Sequence, residues 1–512
     1  MIELNKWGSW AQKPDLIPET SISAFYNTDI VIAGAGIAGV SCALRAAQSG
    51  ARVIVLEQSR NWSGRGGNIG VANSAFMKSR GYENDIDKLG EEWIKRCGNR
   101  CNERLVRKYL LNGGRAMDWL IDIITRPEYG ARPALEGSLY RGEKYREYVG
   151  SHRFFDGPMA RNGARAGGAD AVYAMYSEAL KAGVDFRFKT RAMQLIKTGN
   201  RVTGIIAQRE TGEYEQYTCS KGCILATGDI GGNKEMCEDL APLANKCASK
   251  KYTTKNGNLG DGHRMGLWAG GVFEDTPFPT MIHSMAYFLG TYCFFFAGLD
   301  GRRFMNEDTY TQGNSIAVIR EGLPYAWSVI DADWPEKVEK SLAYGGGLFW
   351  GQDHKLDEEP IFDRERDLRL LKRGEADGTM VFADTPEELA KLMDVPVEAF
   401  CDELARYNRF CEAGRDDDFG KRPELLMPLN KPPFYALKFG PSLLAVVGGL
   451  KTDANFQVVG ETNEPIEGLY AIGNVAGGRY GVDYPLIICG NSHGTALTFG
   501  FLLGEELAAK EA

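Results

Sequence analysis

Gly34, Gly36 and Gly39 stand in the spacing G-x-G-x-x-G, directly after the run Asp29-Ile-Val-Ile-Ala-Gly34 and ahead of an alanine-rich stretch reaching Ser49. Glycines at those intervals can cradle a pyrophosphate. Gly34 permits a tight turn, Gly36 lets the backbone approach the phosphates, and Gly39 lets a helix lie close on its strand. The phosphates then meet the unsatisfied amides of a helix N-terminus, which puts Ile37 and Ala38 against the ligand as well. A second apolar run, Arg52-Val-Ile-Val-Leu56, is followed by Glu57 and Gln58, and Glu57 comes twenty-three residues after Gly34. An acid there accepts hydrogen bonds from ribose hydroxyls. Strand, glycine turn, helix, strand and terminal acid in this register predict a dinucleotide-binding unit.

Three further regions narrow the nucleotide. Residues 60–76, Arg-Asn-Trp-Ser-Gly-Arg-Gly-Gly-Asn-Ile-Gly-Val-Ala-Asn-Ser-Ala-Phe, form a glycine-rich loop suited to passing backbone across an isoalloxazine face. Ile224-Leu-Ala-Thr-Gly228 and Gly468-Leu-Tyr-Ala-Ile-Gly473-Asn474 each repeat a strand running into glycine. Together with Ala226-Thr-Gly-Asp-Ile-Gly-Gly-Asn233, Gly260-Asp-Gly262, Gly301-Arg-Arg-Phe-Met-Asn-Glu307 and the block ending Thr498-Phe-Gly500, the chain resembles the fumarate reductase/succinate dehydrogenase flavoprotein family, which includes the 3-ketosteroid dehydrogenases. The resemblance spans nearly the whole chain. It implies an α/β fold in which a Rossmann-like FAD-binding domain of the glutathione-reductase type, residues 1–271 and 442–512, is interrupted by an α+β capping domain at 272–441. Proline-rich and charge-rich stretches around 353–378 and 414–433 agree with that division. The implied cofactor is FAD, bound without a covalent link, because no histidine lies in the 60–76 loop. Its implied contacts add Gly66, Gly67, Asn68, Ala192, Met193, Ala226, Thr227, Gly228, Asn233, Asp261, Gly473, Asn474, Asn491, Ser492 and His493. A last helix, from near Asn491 through Leu507, would aim its N-terminus at the flavin's pyrimidine ring, where its dipole stabilises the anionic reduced form. His493 in its first turn reads either as a flavin contact or as an ordinary polar side chain.

The substrate is read from departures. Dicarboxylate-handling members of that family use a loop arginine, two histidines and a cap arginine. By the resemblance these places fall on Ile487, on Phe278 of Phe278-Pro279-Thr280, within the apolar Leu444-Ala-Val-Val447, and on Thr311. Losing charge-assisted hydrogen bonds of about 1.5–3 kcal/mol each makes fumarate a poor substrate. The loop Gly481-Val-Asp-Tyr484-Pro485-Leu-Ile-Ile-Cys-Gly490-Asn491 instead resembles the ketosteroid branch, where a tyrosine hydroxyl and a glycine amide polarise the substrate carbonyl. Tyr484 and Gly490 occupy those places, as an oxyanion hole for an enolate. The cap tyrosine that exchanges the α-proton is matched by Tyr310, or by Thr311 in strict collinearity. The implied reaction reduces or forms a C=C bond conjugated to a carbonyl, in a 3-ketosteroid or similar cyclic enone, with the direction open. An alternative is an enoic-acid reductase of the urocanate or cinnamate type, with Arg479 of Gly477-Gly-Arg-Tyr480 or a cap arginine on the carboxylate; otherwise Arg479 is a surface arginine. The aromatic run Tyr287–Phe296 reads as core or as an apolar wall at the flavin. A non-catalytic flavoprotein sensor finds no recognisable signalling segment.

Bulk properties set the frame. A chain of 512 residues with 44% apolar and 25% charged content buries a large core and exceeds one compact domain. Net charge is −8, and no Lys/Arg-rich block gives nucleic acid a footprint. The opening residues lack a signal-type apolar region and no stretch of ~18 apolar residues occurs, so neither a membrane partner nor export is expected, and the cytoplasm is the expected compartment. Eleven cysteines, the nearest spaced as Cys97/Cys101 and Cys219/Cys223, lack flanking ligand sets and read as reduced thiols with no metal. No second GxGxxG argues for NADH, so the electron carrier stays open and the partner inferred is a small hydrophobic molecule.

Overall fold

The computed structural model describes residues 7–136, 147–161, 167–288, 294–342 and 364–511, with short stretches at 291–292, 344, 348–349, 352–353 and 361–362. Alternation of side chains builds its first layer. Ile30 and Ile32 of the strand Ile22–Ala33, with Val53 and Val55 of the strand Val53–Glu57, join one core; Val31, Ala33, Ile54 and Leu56 join another on the opposite face. Burial on both faces is what a parallel sheet requires, which is why these strands read as continuous apolar runs. Asp185–Phe188, Val53–Glu57, Ile22–Ala33, Tyr214–Leu225 and Pro465–Ala471 lie side by side, all parallel. Helices Ile37–Gln48, Glu103–Ile124, Gly168–Lys181 and Asn491–Ala509 supply one core, and the antiparallel strands Thr190–Thr198 and Arg201–Arg209 contribute to the other. The first strand begins at Ile22 rather than Asp29, because residues 22–28 extend its ladder along Tyr214–Cys219 with alternate side chains in solvent.

A second sheet centres on Phe434–Val446. Thr280–Tyr287, Ala326–Ile330 and Met380–Ala383 pair with it antiparallel, Ser249–Lys250 pairs parallel, and Phe295–Ala297 adds beyond Ala326–Ile330. The change-over expected at 441/442 falls inside this central strand, and Ser249–Lys250 brings a piece of 1–271 into the same sheet. Phe295, Trp327, Phe400, Tyr407, Phe434 and Leu437 fill its core. Beside that core lies a buried charge cluster. Arg303 donates to Glu307 at 2.8 and 2.7 Å and to Asp416 at 3.2 and 2.9 Å, while Lys421 Nζ lies 3.5 Å from Glu307. Two cations face two anions, so no buried charge is left uncompensated. The Gly301–Glu307 motif is thus an internal brace beside the second sheet. Among the described residues no helix is long and apolar enough to cross a membrane.

The first and last of the four core helices meet through small residues. A Cβ on Gly500 would lie 2.0 Å from Ser41 Oγ and 2.5 Å from the Ala38 carbonyl, and one on Gly504 would lie 2.5 Å from the Cys42 carbonyl. Overpacking of this kind costs roughly 1–3 kcal/mol. Gly500→Ala is therefore expected to lower Tm by several degrees in a thermal melt of the holoprotein. An unchanged Tm would show that the helices are further apart.

Candidate active site

The parallel strands end at a cavity of about 480 Å³, within the usual range for cofactor sites. Gly34, Gly36, Ile37, Ala38, Glu57 and Gln58 line it from the first two strand ends. Ala226, Thr227, Gly228, Gly473 and Asn474 line it from two more, joined by Ala192, Asp261, Ser492 and His493. A Cβ on Gly36 would meet nothing within 4 Å, so the backbone there opens onto the cavity. The helix Ile37–Gln48 starts without a side-chain cap, leaving its first amides for an anion. Glu57 is oriented by two amides, Ala35 N–H on Oε2 at 2.9 Å and Ser59 N–H on Oε1 at 2.8 Å, with lone pairs to spare for ribose hydroxyls. An open glycine backbone, an uncapped helix end and an oriented acid fit FAD.

Other expected contacts lie off this cavity. Gly39 packs on its own turn, where a Cβ would stand 2.0 Å from the Gly34 carbonyl. Met193 falls in the irregularity between Ala192 and Gln194 and does not line the cavity. Asn233 caps the helix Lys234–Leu240 by accepting from Met236 N–H at 3.1 Å, a structural role. Gly66, Gly67 and Asn68 form the loop backbone behind it: a Cβ on Gly66 would lie 2.4 Å from the His493 ring, and the Gly67 carbonyl abuts Gly167. Asn491 locks the C-terminal loop, donating to the Pro485 and Ile488 carbonyls, each at 3.1 Å, and accepting from Tyr480 at 2.9 Å. His493 is a cavity residue: Nδ1 donates to the Asn68 carbonyl at 3.0 Å, and burial lowers its pKa, keeping the ring neutral. Arg65 and Asp229 also line the cavity, though the sequence singled out neither. Arg65 donates to Ser63 at 3.1 Å, Asn258 at 3.1 Å and the Tyr252 carbonyl. Burial pushes the Asp229 carboxyl up to about 6. Both sit inside motifs noted for their glycines, which was the available signal.

A second cavity, of about 180 Å³, has Tyr310 and Tyr484 in its lining with Arg96, Glu147, Asp483, Pro485 and Leu486. The Tyr484 hydroxyl accepts from the Ser492 amide at 3.4 Å, in the first turn of the last helix, so its own proton is free to donate. Tyr480 packs edge-on at 5.4 Å. Gly490, at φ +79°, accepts from Gly70 N–H at 2.9 Å. Its amide makes no hydrogen bond among the described residues. Tyr310 directly precedes the helix Thr311–Arg320. Thr311 is turned to a structural use instead: its hydroxyl accepts from Ser284 N–H at 3.3 Å and it lines neither cavity. Burial pushes the Asp483 carboxyl up to about 7, against the N–H bonds it accepts from Tyr484 and Gln312.

Phe278, Leu444 and Ile487 are buried apolar side chains. Arg479 is not a surface arginine: it is 1% exposed, and donates to Thr495 Oγ1 and the Ala476 carbonyl, each at 3.0 Å. Of the aromatic run, Phe288 and Phe294–Phe296 are buried in the cores beside the second sheet and Tyr287 is exposed. Residues 289, 290 and 293, with the side chains of 291–292, lie outside the described residues.

The sequence matches the FAD binding domain family over residues 29–492. It is 27% identical over 503 residues to the vinyl phenol reductase of Lactiplantibacillus plantarum, covering 93% of this chain and 94% of that one. To the fumarate reductase (cytochrome) of Shewanella frigidimarina it is 28% identical over 505 residues, covering 95% and 78%. The fold is shared with the 3-ketosteroid-Δ4-(5α)-dehydrogenase of Rhodococcus jostii, at a TM-score of 0.71 and 22% identity over 96% of this chain and 99% of that one. With its cofactor cradle in place and a match across residues 29–492, the chain belongs to the FAD binding domain family and is an FAD-dependent oxidoreductase acting on CH–CH groups.

Proposed function

We propose that this FAD-dependent oxidoreductase reduces or forms a C=C bond conjugated to a ring carbonyl, in a 3-ketosteroid or similar cyclic enone. The observation that carries the reading is that Tyr484, its hydroxyl already held by a helix amide, shares a cavity with the cap's Tyr310. FAD, when bound, supplies the two-electron hydride chemistry. Tyr484 donates its O–H to the substrate's carbonyl oxygen, and the Gly490 amide, unbonded among the described residues though Gly490 lines neither cavity, is the second donor proposed for the same oxygen. Both act as the oxygen gains charge, where fixed donors are worth most. Tyr310, in the same lining, holds or delivers the proton at the α-carbon. The ketosteroid fold supports a carbonyl-activated substrate, and the vinyl phenol reductase supports one activated by a ring oxygen. An unsaturated acid is the second reading. Arg96, which also lies 3.8 Å from Glu92, supports it as a cation at the smaller cavity; Arg479 lines neither cavity and donates to Thr495 and the Ala476 carbonyl.

The flavin is held without a covalent bond, so acid precipitation is expected to release it into the supernatant. Gly36→Ala should keep the melting behaviour of the apoprotein while weakening FAD retention at least tenfold in a flavin-fluorescence titration; unchanged retention would move the phosphates away from this turn.

Reduced anaerobically with dithionite, the holoenzyme is expected to be reoxidised by a cyclic enone and not by fumarate. Reoxidation by unsaturated acids alone would replace this reading with the second. Tyr484→Phe should retain FAD and lose turnover by on the order of 10²-fold, and undiminished turnover would remove Tyr484 from the reaction.

A further inference from the structure

Asp483 lies beside Tyr484 and lines the same small cavity. Its Oδ1 accepts from the Tyr484 amide at 2.9 Å and from the side chain of Gln312, in the first turn of the cap helix. Gln312 is itself fixed, since its Oε1 accepts from Ile282 N–H at 3.1 Å. The carboxyl is thus held from both the C-terminal loop and the cap. Its other oxygen, Oδ2, makes no hydrogen bond among the described residues.

A carboxylate oxygen without a hydrogen bond and a tyrosine hydroxyl free to donate, on two residues that line one cavity, together complement a ligand group that can both give and accept a hydrogen bond. A bare ketone or ether only accepts, and a hydroxyl does both. Above neutral pH, where the Asp483 carboxyl pushed up to about 7 is ionised, the lining includes two carboxylates, Asp483 and Glu147, and one arginine, Arg96, an excess of negative charge. That excess disfavours a carboxylate ligand, an exclusion by repulsion rather than by fit. The cavity, at about 180 Å³, is also below the roughly 300–1,000 Å³ of sites that enclose larger ligands, which suits a single ring better than a fused four-ring system.

We propose that Asp483 is a specificity-determining residue that selects a single-ring, hydroxyl-bearing substrate, whose O–H donates to the open Asp483 oxygen while Tyr484 donates to the same or an adjacent ring oxygen. This takes the role of Tyr484 from the enone reading, on which it rests in that respect, and narrows that reading's substrate to a single ring rather than a ketosteroid. The step is one of binding and transfers no electrons.

The test uses the FAD-loaded enzyme and needs no turnover. Phenol and anisole, alike except for the O–H, are titrated at about pH 8.5, where a carboxyl of this kind is ionised and phenol is not, with the visible flavin spectrum as readout. Phenol is expected to bind at least roughly tenfold more tightly than anisole, because a site built around a ligand O–H rejects the analogue lacking it. In Asp483→Asn that ratio should fall to within about threefold with anisole affinity unchanged, and benzoate should bind more tightly than to the wild type. Asp483→Ala provides the same comparison if Asp483→Asn loses FAD. Equal wild-type affinities for phenol and anisole, or a ratio preserved in the variants, would overturn the inference. Reoxidation of the reduced enzyme by cyclohex-2-enone separates the two readings. If cyclohexenone is inert while phenol keeps its Asp483-dependent advantage, the enone reading fails and this one stands; turnover of the enone with equal binding of phenol and anisole is the reverse.

Discussion

The close contact between the helices Ile37–Gln48 and Asn491–Ala509 governs where everything else can sit. Gly500 and Gly504 bring the later helix onto the backbone and small side chains of Ala38, Ser41 and Cys42. Each helix starts at a glycine without a side-chain cap, Gly36 for one and Gly490 for the other, and the first residues of both reach the larger cavity. Two positive helix ends are therefore aimed at one ligand from different directions, and an anionic cofactor is attracted along its length. A methyl group at the seam would push one of those ends out of place.

The same helix end connects the larger cavity to the smaller one. Ser492 lines the larger cavity, and its amide holds the hydroxyl of Tyr484, a residue that lines the smaller one. Asn491 fixes the intervening loop through three hydrogen bonds, and Tyr480 packs against Tyr484. A donor held in this way needs little reorganisation as charge develops on its partner. His493, neutral and bound to the Asn68 carbonyl, adds no competing positive charge beside the helix end.

Local pattern made the cofactor half legible. Gly34, Gly36 and Glu57 serve a turn, a helix end and a strand end that lie within one stretch of chain, so their spacing alone reports their use. Tyr484 and Tyr310 were found by resemblance, and the chain folds them to one cavity across an interval that no local spacing records. What stayed hidden depends on meetings between distant segments. Arg65 and Asp229 line the larger cavity together, yet each sits among glycines that drew the attention. Asn233 follows such glycines too, but its side chain satisfies a helix amide. The Gln312–Asp483 bond joins cap to loop, and neither residue has a neighbour in sequence to betray it. Arg479 illustrates the converse: an arginine among glycines reads as exposed until the last helix covers it.

The helix seam also has a bearing on the order of events during synthesis. Its two partners lie near opposite ends of the chain, so the contact is among the most non-local in the molecule and closes late. While the ribosome is still making the cap, the nascent dinucleotide-binding half presents the Gly36 cradle but lacks the Ser492 and His493 wall. Flavin capture is then expected after translation rather than during it, because Ser492 and His493 are the last of the cavity lining, apart from Ala496, to be made.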